Sequence, residues 1–415
     1  MAKEDELQKS LDAARSKPVK VGTGLTPKKK SVGNVAAALS PKAHKPASKP
    51  VVISDAFDHD TAFHMAFIGA GQGGSRIANS FWGLGYRRVG IFNTTDSDFE
   101  GIEDEIPKLS LDIGGAAKDM QFARQALDGR DEEVWDLMQR SWGNTLDCAL
   151  VCVGLGGGSG SGCSLPLVRL ARKYMEAKQC PPRVGAIVSL PSIDEGQQVA
   201  RNAVVAFKEL LVDKVSPILI IDNDRVHALY EPPMSQLLPK SNELVSQLLH
   251  LFNTLAASKS EHITFDRSEF AQLLDGGIVV MGSADIPVDE INSPADVSTQ
   301  IREQLADSVL AEVDLRRGRK AACVFVASKE VLDTFGKDYF AAGFTQLNRI
   351  VGAAHPEGTQ TVIHRGLYRG DGDGLQCYTM ISELDPPYQK LQVLAKIAGL
   401  HLGQGSSIAK YLGVD

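Results

Sequence analysis

The chain has 415 residues and carries 44 basic against 51 acidic side chains, a formal charge of −7. The imbalance is local: residues 1–50 hold eleven basic and four acidic side chains, a net of +7, so the other 365 carry −14. A body this acidic lacks the clustered Lys and Arg that neutralise a nucleic-acid backbone, and no apolar run reaches the ~18 residues that cross a bilayer. The amino terminus is charged from Lys3 with no apolar stretch behind it, which does not read as a secretory signal; the expected location is the cytoplasm. Six cysteines form no CxxC pair and the histidines no HExxH, so free structural thiols are expected, and no metal held by protein side chains.

Residues 1–60 repeat a Lys-Pro theme (KPVK, TPKKK, SPKAHKPASKP) in a composition too polar to bury a core. They read as a disordered basic arm: either a solubilising tail or a tether to a partner or an anionic surface, the acidic body of a neighbouring molecule included. Order is expected from Ala62. A strand over 61–70 runs into a glycine-rich turn and then a helix through Arg76, Ile77, Ala78, Phe81 and Trp82, with a second strand at Val89–Phe92. Residues 119–141 are polar with helical spacing. An apolar run over 146–155 leads through nine Gly- and Ser-rich residues into a helix over 165–175. Strands at 184–190 and 217–221 flank a helix at 199–211. This alternation predicts a parallel sheet covered on both faces.

A long helix follows from Ser235 to about Ser258, with Leu244, Leu248, Leu251 and Leu255 at helical spacing. Beyond it, helices over 299–310 and 340–351 and strands near 277–282, 321–327, 361–364 and 375–380 predict a second, smaller α/β unit. The expected boundaries are 1–60 for the arm, 61–234 for the first domain and 235–260 for the central helix. The second domain then covers 261–385, and 386–415 is a carboxy-terminal extension.

Gly69, Gly71 and Gly74 form a GxGxxG between a strand and a helix, and Asp96 or Asp98 lies some 22–24 residues further on. Alone, this fits a dinucleotide site or merely a tight strand–helix turn. The second loop, Gly154-Leu-Gly156-Gly157-Gly158-Ser159-Gly160-Ser161-Gly162, has six glycines in nine residues. Glycine costs about 1 kcal/mol at a helical position that any other residue could fill, so packing does not explain it. A nest of N–H donors with two hydroxyls does. Two such loops at strand ends of one sheet point to a di- or triphosphate ligand. The GxxxxGK[ST] loop is absent.

GLGGGSGSG resembles the glycine signature of the tubulin/FtsZ family, with Ser159 where that family commonly has Thr. FIGAGQGGSRIAN resembles its first phosphate loop, at Gly71, Gln72 and Gly73. FNTTDSD is similar to its AVNTD segment, at Asn93, Thr94 and Asp96. IGGAAKD matches the terminal-phosphate glycines at Gly114 and Gly115, SLPSIDEG the ribose contact at Glu195, and IIDNDRV the guanine contact at Asn223. The order holds over residues 62–380. The resemblance implies that 61–234 is a GTP-binding domain, with Gly156, Gly157, Gly158, Ser159 and Gly160 at the phosphates. It also implies GTP/GDP as ligand, Mg²⁺ held through the phosphates, head-to-tail self-assembly into protofilaments, and GTP hydrolysis at each junction. It sets aside an NAD- or FAD-dependent oxidoreductase.

In that family the loop after the long helix acts on the neighbour's nucleotide. Here it reads Thr264-Phe265-Asp266-Arg267-Ser268-Glu269, and the resemblance makes Asp266 and Glu269 the catalytic acids; by residue type alone they are solvated loop acids. The departures are specific. Thr264 replaces an Asn, the loop's opening glycine is missing from SEHITF, and Val199 stands at an Arg position with Arg201 nearby. The base segment reads Pro239-Lys240-Ser241-Asn242-Glu243, without the stacking aromatic. Asn242 or Glu243 is left to meet the base, and Glu243 is favoured because an acid suits guanine's N1–H and N2 donors. A divergent member is expected. The alternative is a structural protein of the same fold that binds nucleotide with little GTPase activity or polymerisation.

Overall fold

The computed structural model describes residues 61–356, 358–370, 374–400 and 408–413, so the arm expected over 1–60 lies outside the described residues. The first strand, β1 (Met65–Ala70), is buried along its whole length. Its side chains alternate between two cores: Met65 and Phe67 enter one, Ala66 and Ile68 the other. A strand buried on both faces must sit inside a sheet covered by helices on both sides.

The remaining strands are β2 (Val89–Asn93), β3 (Lys108–Ser110), β4 (Cys148–Gly154), β5 (Val184–Leu190), β6 (Ile218–Asp222), β7 (Ile278–Ile286), β8 (Lys320–Ala327), β9 (Val362–Arg369) and β10 (Leu375–Leu384). They form one ten-stranded sheet in the order β3-β2-β1-β4-β5-β6-β7-β10-β8-β9. Pairing is parallel from β3 through β7; β10 runs antiparallel to both β7 and β8, and β9 returns parallel to β8. The fold is α/β on a mostly parallel sheet. Because β1, β2, β4, β5 and β6 point the same way, the loops at their carboxyl ends gather on one edge, where such sheets bind ligands.

Helices α1 (Gly71–Gly83), α2 (Met120–Leu127), α3 (Asp131–Trp142), α4 (Gly158–Ala177), α5 (Gln197–Val212) and α6 (Asn223–Tyr230) cover the first half. The polar stretch over 119–141 divides into α2 and α3 because Gly129 adopts φ 75° between them, a break that helical spacing does not reveal. The long helix α7 (Met234–Leu255) has 22 residues and lays Leu244, Val245, Leu248, Leu249 and Phe252 into the core that β1 shares through Phe67. Then follow α8 (Arg267–Leu274), α9 (Pro294–Ser308), α10 (Lys329–Thr334), α11 (Lys337–Ile350), α12 (Tyr388–Ile397) and α13 (Ile408–Leu412). Strand β9 runs past the expected 361–364 to Arg369, since β8 offers it a partner at every position. Among the described residues no helix is long and apolar enough to cross a membrane, and the six cysteines are free thiols.

Candidate functional site

At the carboxyl edge of the sheet lies a cavity of ≈ 630 Å³. Its walls begin with the two glycine loops. Strand β1 passes into α1 with no intervening loop, which is possible because Gly71 takes φ +67° and comes so close to the second loop that a Cβ there would lie 2.7 Å from Gly160 N. The second loop leaves β4 and starts α4 at Gly158 after the extended residue Gly157. Both helices therefore begin on the cavity, presenting unpaired N–H groups and the positive ends of their dipoles. Ser159 Oγ and Thr94 Oγ1 are 2.6 Å apart, joining this loop to the end of β2. Ser161 instead closes the loop on itself, its buried hydroxyl accepting from Gly156 N at 2.8 Å.

A third loop, after β3, carries Gly114 and Gly115 at φ 75° and 95°, followed by the left-handed Ala117 and Lys118. Non-glycine residues pay about 1–2 kcal/mol each for that conformation, so something must hold them. Asn202 on α5 does: its Nδ2 donates to Lys118 O at 2.8 Å and to Gly156 O at 2.9 Å, tying the third loop to the second. Asn202→Ala is expected to lower stability by about 1–3 kcal/mol, because a buried carbonyl loses its donor, and to loosen both loops. Chemical denaturation checks the first effect. Protection of residues 114–118 from proteolysis checks the second.

Of the sequence candidates, Gly71, Gln72, Gly73, Gly114, Gly115, Gly156, Gly157, Gly158, Ser159, Gly160, Glu195, Asn223 and Asn242 line the cavity. Asn93, Asp96 and Glu243 do not. Asn93 is buried and acts one step back: its Nδ2 donates to Asp98 Oδ2 at 3.0 Å, and Asp98 is one of the acids on the wall. Asp96 is exposed at the start of a short turn of 3₁₀ helix. Glu243 points away, with Lys240 Nζ at 3.3 Å and Gln247 Nε2 at 3.0 Å, while Asn242, one helical step before it, faces in. Asn223 opens α6, where its Oδ1 accepts from Ser189 Oγ at 3.0 Å. Glu195 Oε1 accepts from Ser192 N at 2.8 Å and shapes the loop after β5. The wall also holds Arg76 and Lys118, two cations that no motif singled out. Val199 lines the wall where Arg201 does not.

The model of the Tubulin/FtsZ family GTPase domain matches residues 64–231, which contain both glycine loops and Asn223. Residues 64–231 thus form a domain of the tubulin/FtsZ family. It is 28% identical over 234 residues to the tubulin-like protein CetZ1 of Haloferax volcanii, a match covering 51% of this chain and 57% of that one. It is 25% identical over 219 residues to the cell division protein FtsZ 1 of Pyrococcus horikoshii, covering 52% and 54%. The matched stretch thus spans about half the length of these relatives. In fold it is similar to TubZ of Bacillus thuringiensis serovar israelensis, solved as a GTPγS-form protofilament, with a TM-score of 0.69 at 20% identity over 82% of this chain and 91% of that one.

Asp266 and Glu269, the acids that the tubulin/FtsZ resemblance singles out, lie outside the cavity wall and start α8 as a reciprocal cap. Asp266 Oδ1 accepts from Ser268 N at 2.7 Å and Glu269 N at 3.0 Å; Glu269 Oε2 accepts from Asp266 N at 3.0 Å. The Ser268 hydroxyl and the Glu269 amide hold the Asp266 carboxyl below the usual carboxylate range, so it is ionised at neutral pH. Glu269 Oε1 also meets Nδ1 of the buried His364 at 3.2 Å. The cap gives these acids a structural reason to be present. It also fixes their geometry on the surface, a property that a site completed by a second subunit would require.

Proposed function

We propose that the cavity binds GTP and GDP and that the chain assembles head to tail, each subunit's Asp266 and Glu269 completing hydrolysis at its neighbour's nucleotide. One observation carries this reading: two helix starts, α1 and α4, converge on one cavity through interlocked glycine loops, with the third glycine loop closing the same end. That arrangement suits a chain of phosphates. Arg76 and Lys118 supply positive charge to it. A magnesium ion entering with the phosphates would neutralise their charge and would meet Asp98 on the wall. At the other end Asn223, whose oxygen is already occupied by Ser189, offers an amide donor to guanine's acceptors, and Asn242 offers a second amide.

Titration with GTP, GDP and ATP tests the reading; a chain that binds none of them overturns it. The base contacts make a narrower expectation. Asn242→Ala should reduce the preference for GTP over ATP, whereas Glu243→Gln should leave it unchanged, since that carboxylate is turned toward Lys240 and Gln247. Competition binding with both variants checks this, and the reverse pattern would return the base contact to Glu243. A second reading, nucleotide binding without turnover, is favoured by the cap itself: both acids already have partners within their own subunit.

A further inference from the structure

Helix α12 is attached to the nucleotide edge by a buried charge. Lys390 is 8% exposed, and its Nζ donates to Asp222 Oδ1 at 2.7 Å and Asp224 Oδ2 at 2.5 Å. Those two carboxylates flank Asn223. Asp222 Oδ1 also caps Asp224 N at 3.0 Å, which fixes the turn from β6 into α6 that presents Asn223 to the cavity. Asp224 Oδ2 also accepts from Ile193 N at 3.1 Å, inside the loop that carries Glu195. One ammonium therefore holds together the base-end turn and the loop after β5. The same loop runs into α5 at Gln197, whose Nε2 donates to Ala398 O at the end of α12 at 3.4 Å. Leu391, Leu394 and Ala395 anchor the helix in the core.

The Lys390–Asp222 pair is costly to break, because both side chains are buried and removal of the ammonium strands the Asp222 carboxylate without water. We infer that Lys390 is a positioning residue for the nucleotide, and that docking of α12 and occupancy of the cavity are thermodynamically linked. The inference rests on the nucleotide-binding reading above. Linkage is reciprocal: if an undocked α12 weakens nucleotide binding, bound nucleotide must favour docked α12 by the same factor. The carboxy-terminal segment, which lies outside the family's GTPase-domain match, then reports on the nucleotide site.

The test uses the full chain. Lys390→Met protein, checked for folding by circular dichroism, is expected to bind fluorescently labelled GDP roughly tenfold more weakly, within the usual range of such couplings. Lys390→Arg, which keeps the charge, should recover much of that loss. In the unsubstituted protein, saturating GDP should slow amide hydrogen exchange over residues 388–397. A lysine that merely stabilises the fold would lower the melting temperature and leave both the affinity of the folded protein and this nucleotide-dependent protection unmoved. Unchanged GDP affinity in folded Lys390→Met protein would overturn the inference. So would exchange over 388–397 that is indifferent to GDP, and that second measurement decides the matter if Lys390→Met fails to fold. An unsubstituted chain that binds no GDP is a distinct result: it overturns the nucleotide reading first.

Discussion

Asp266→Asn protein is expected to bind GTP as tightly as the unsubstituted chain and to release phosphate about 10²–10³-fold more slowly, the scale at which removal of one positioned polar group slows other enzymes. Affinity should hold because Asp266 is not on the wall of its own subunit's cavity. The choice of Asn matters. Asp266 caps α8 through Ser268 N and Glu269 N, and Asn caps a helix as well as Asp, so the fold is preserved while the charge is removed. Asp266→Ala would instead cost about 1 kcal/mol of stability through the lost cap and confuse the two effects. Turnover unchanged in Asp266→Asn would leave these acids with the cap as their whole role. Mixing adds the direction of catalysis. Asp266→Asn protein has an intact cavity, and a cavity variant has intact acids. If the acids act across the junction, adding the second to the first restores phosphate release; if they act within a subunit, no ratio does.

The second large effect concerns the phosphate end, where neighbouring glycines differ in what they accept. A Cβ built on Gly157 meets nothing within 4 Å, and the residue's φ of −69° suits any side chain. Gly157→Ala should therefore fold normally. Its methyl enters the cavity and should weaken GTP and GDP binding by about 10–100-fold, the equivalent of 1–3 kcal/mol of overpacking. A Cβ on Gly158 lies 2.8 Å from Ala116 Cβ and 2.9 Å from Asp119 N. Gly158→Ala must displace the third loop and should lose stability as well as binding. Calorimetric titration with parallel thermal melts distinguishes the two variants. Undiminished nucleotide affinity in Gly157→Ala would remove the second loop from the phosphate site.

Much of this site is legible in the sequence because spacing alone encodes it. Runs of glycine at strand ends have few structural alternatives, and residues 71–73 and 154–160 of the two loops line the cavity. What the sequence hides depends on rotation and on partners far along the chain. Asn242 and Glu243 are adjacent in sequence but about 100° apart around α7, and a motif match does not fix which of them faces inward. Asn93 matches a nucleotide-contact position, yet its amide is turned to Asp98, a pairing that only the folded turn reveals. Arg76 and Lys118 lie inside matched segments without being singled out by them, and Asn202 lies in none. They reach the site because α1, the third loop and α5 converge there. Lys390 is further removed still, lying 168 residues from Asp222. The signal that could have found it is a lysine beside apolar residues on a short helix, and Lys396 on the same helix shows how common that pattern is.

In the proposed assembly, a cavity in one subunit is completed by acids from the next. Phosphate release from GTP, measured as a function of protein concentration, tests this. A site formed only between subunits predicts negligible specific activity at low concentration and a steep rise once the chains associate. A specific activity independent of concentration, down to dilutions where the protein sediments as a monomer, would contradict it.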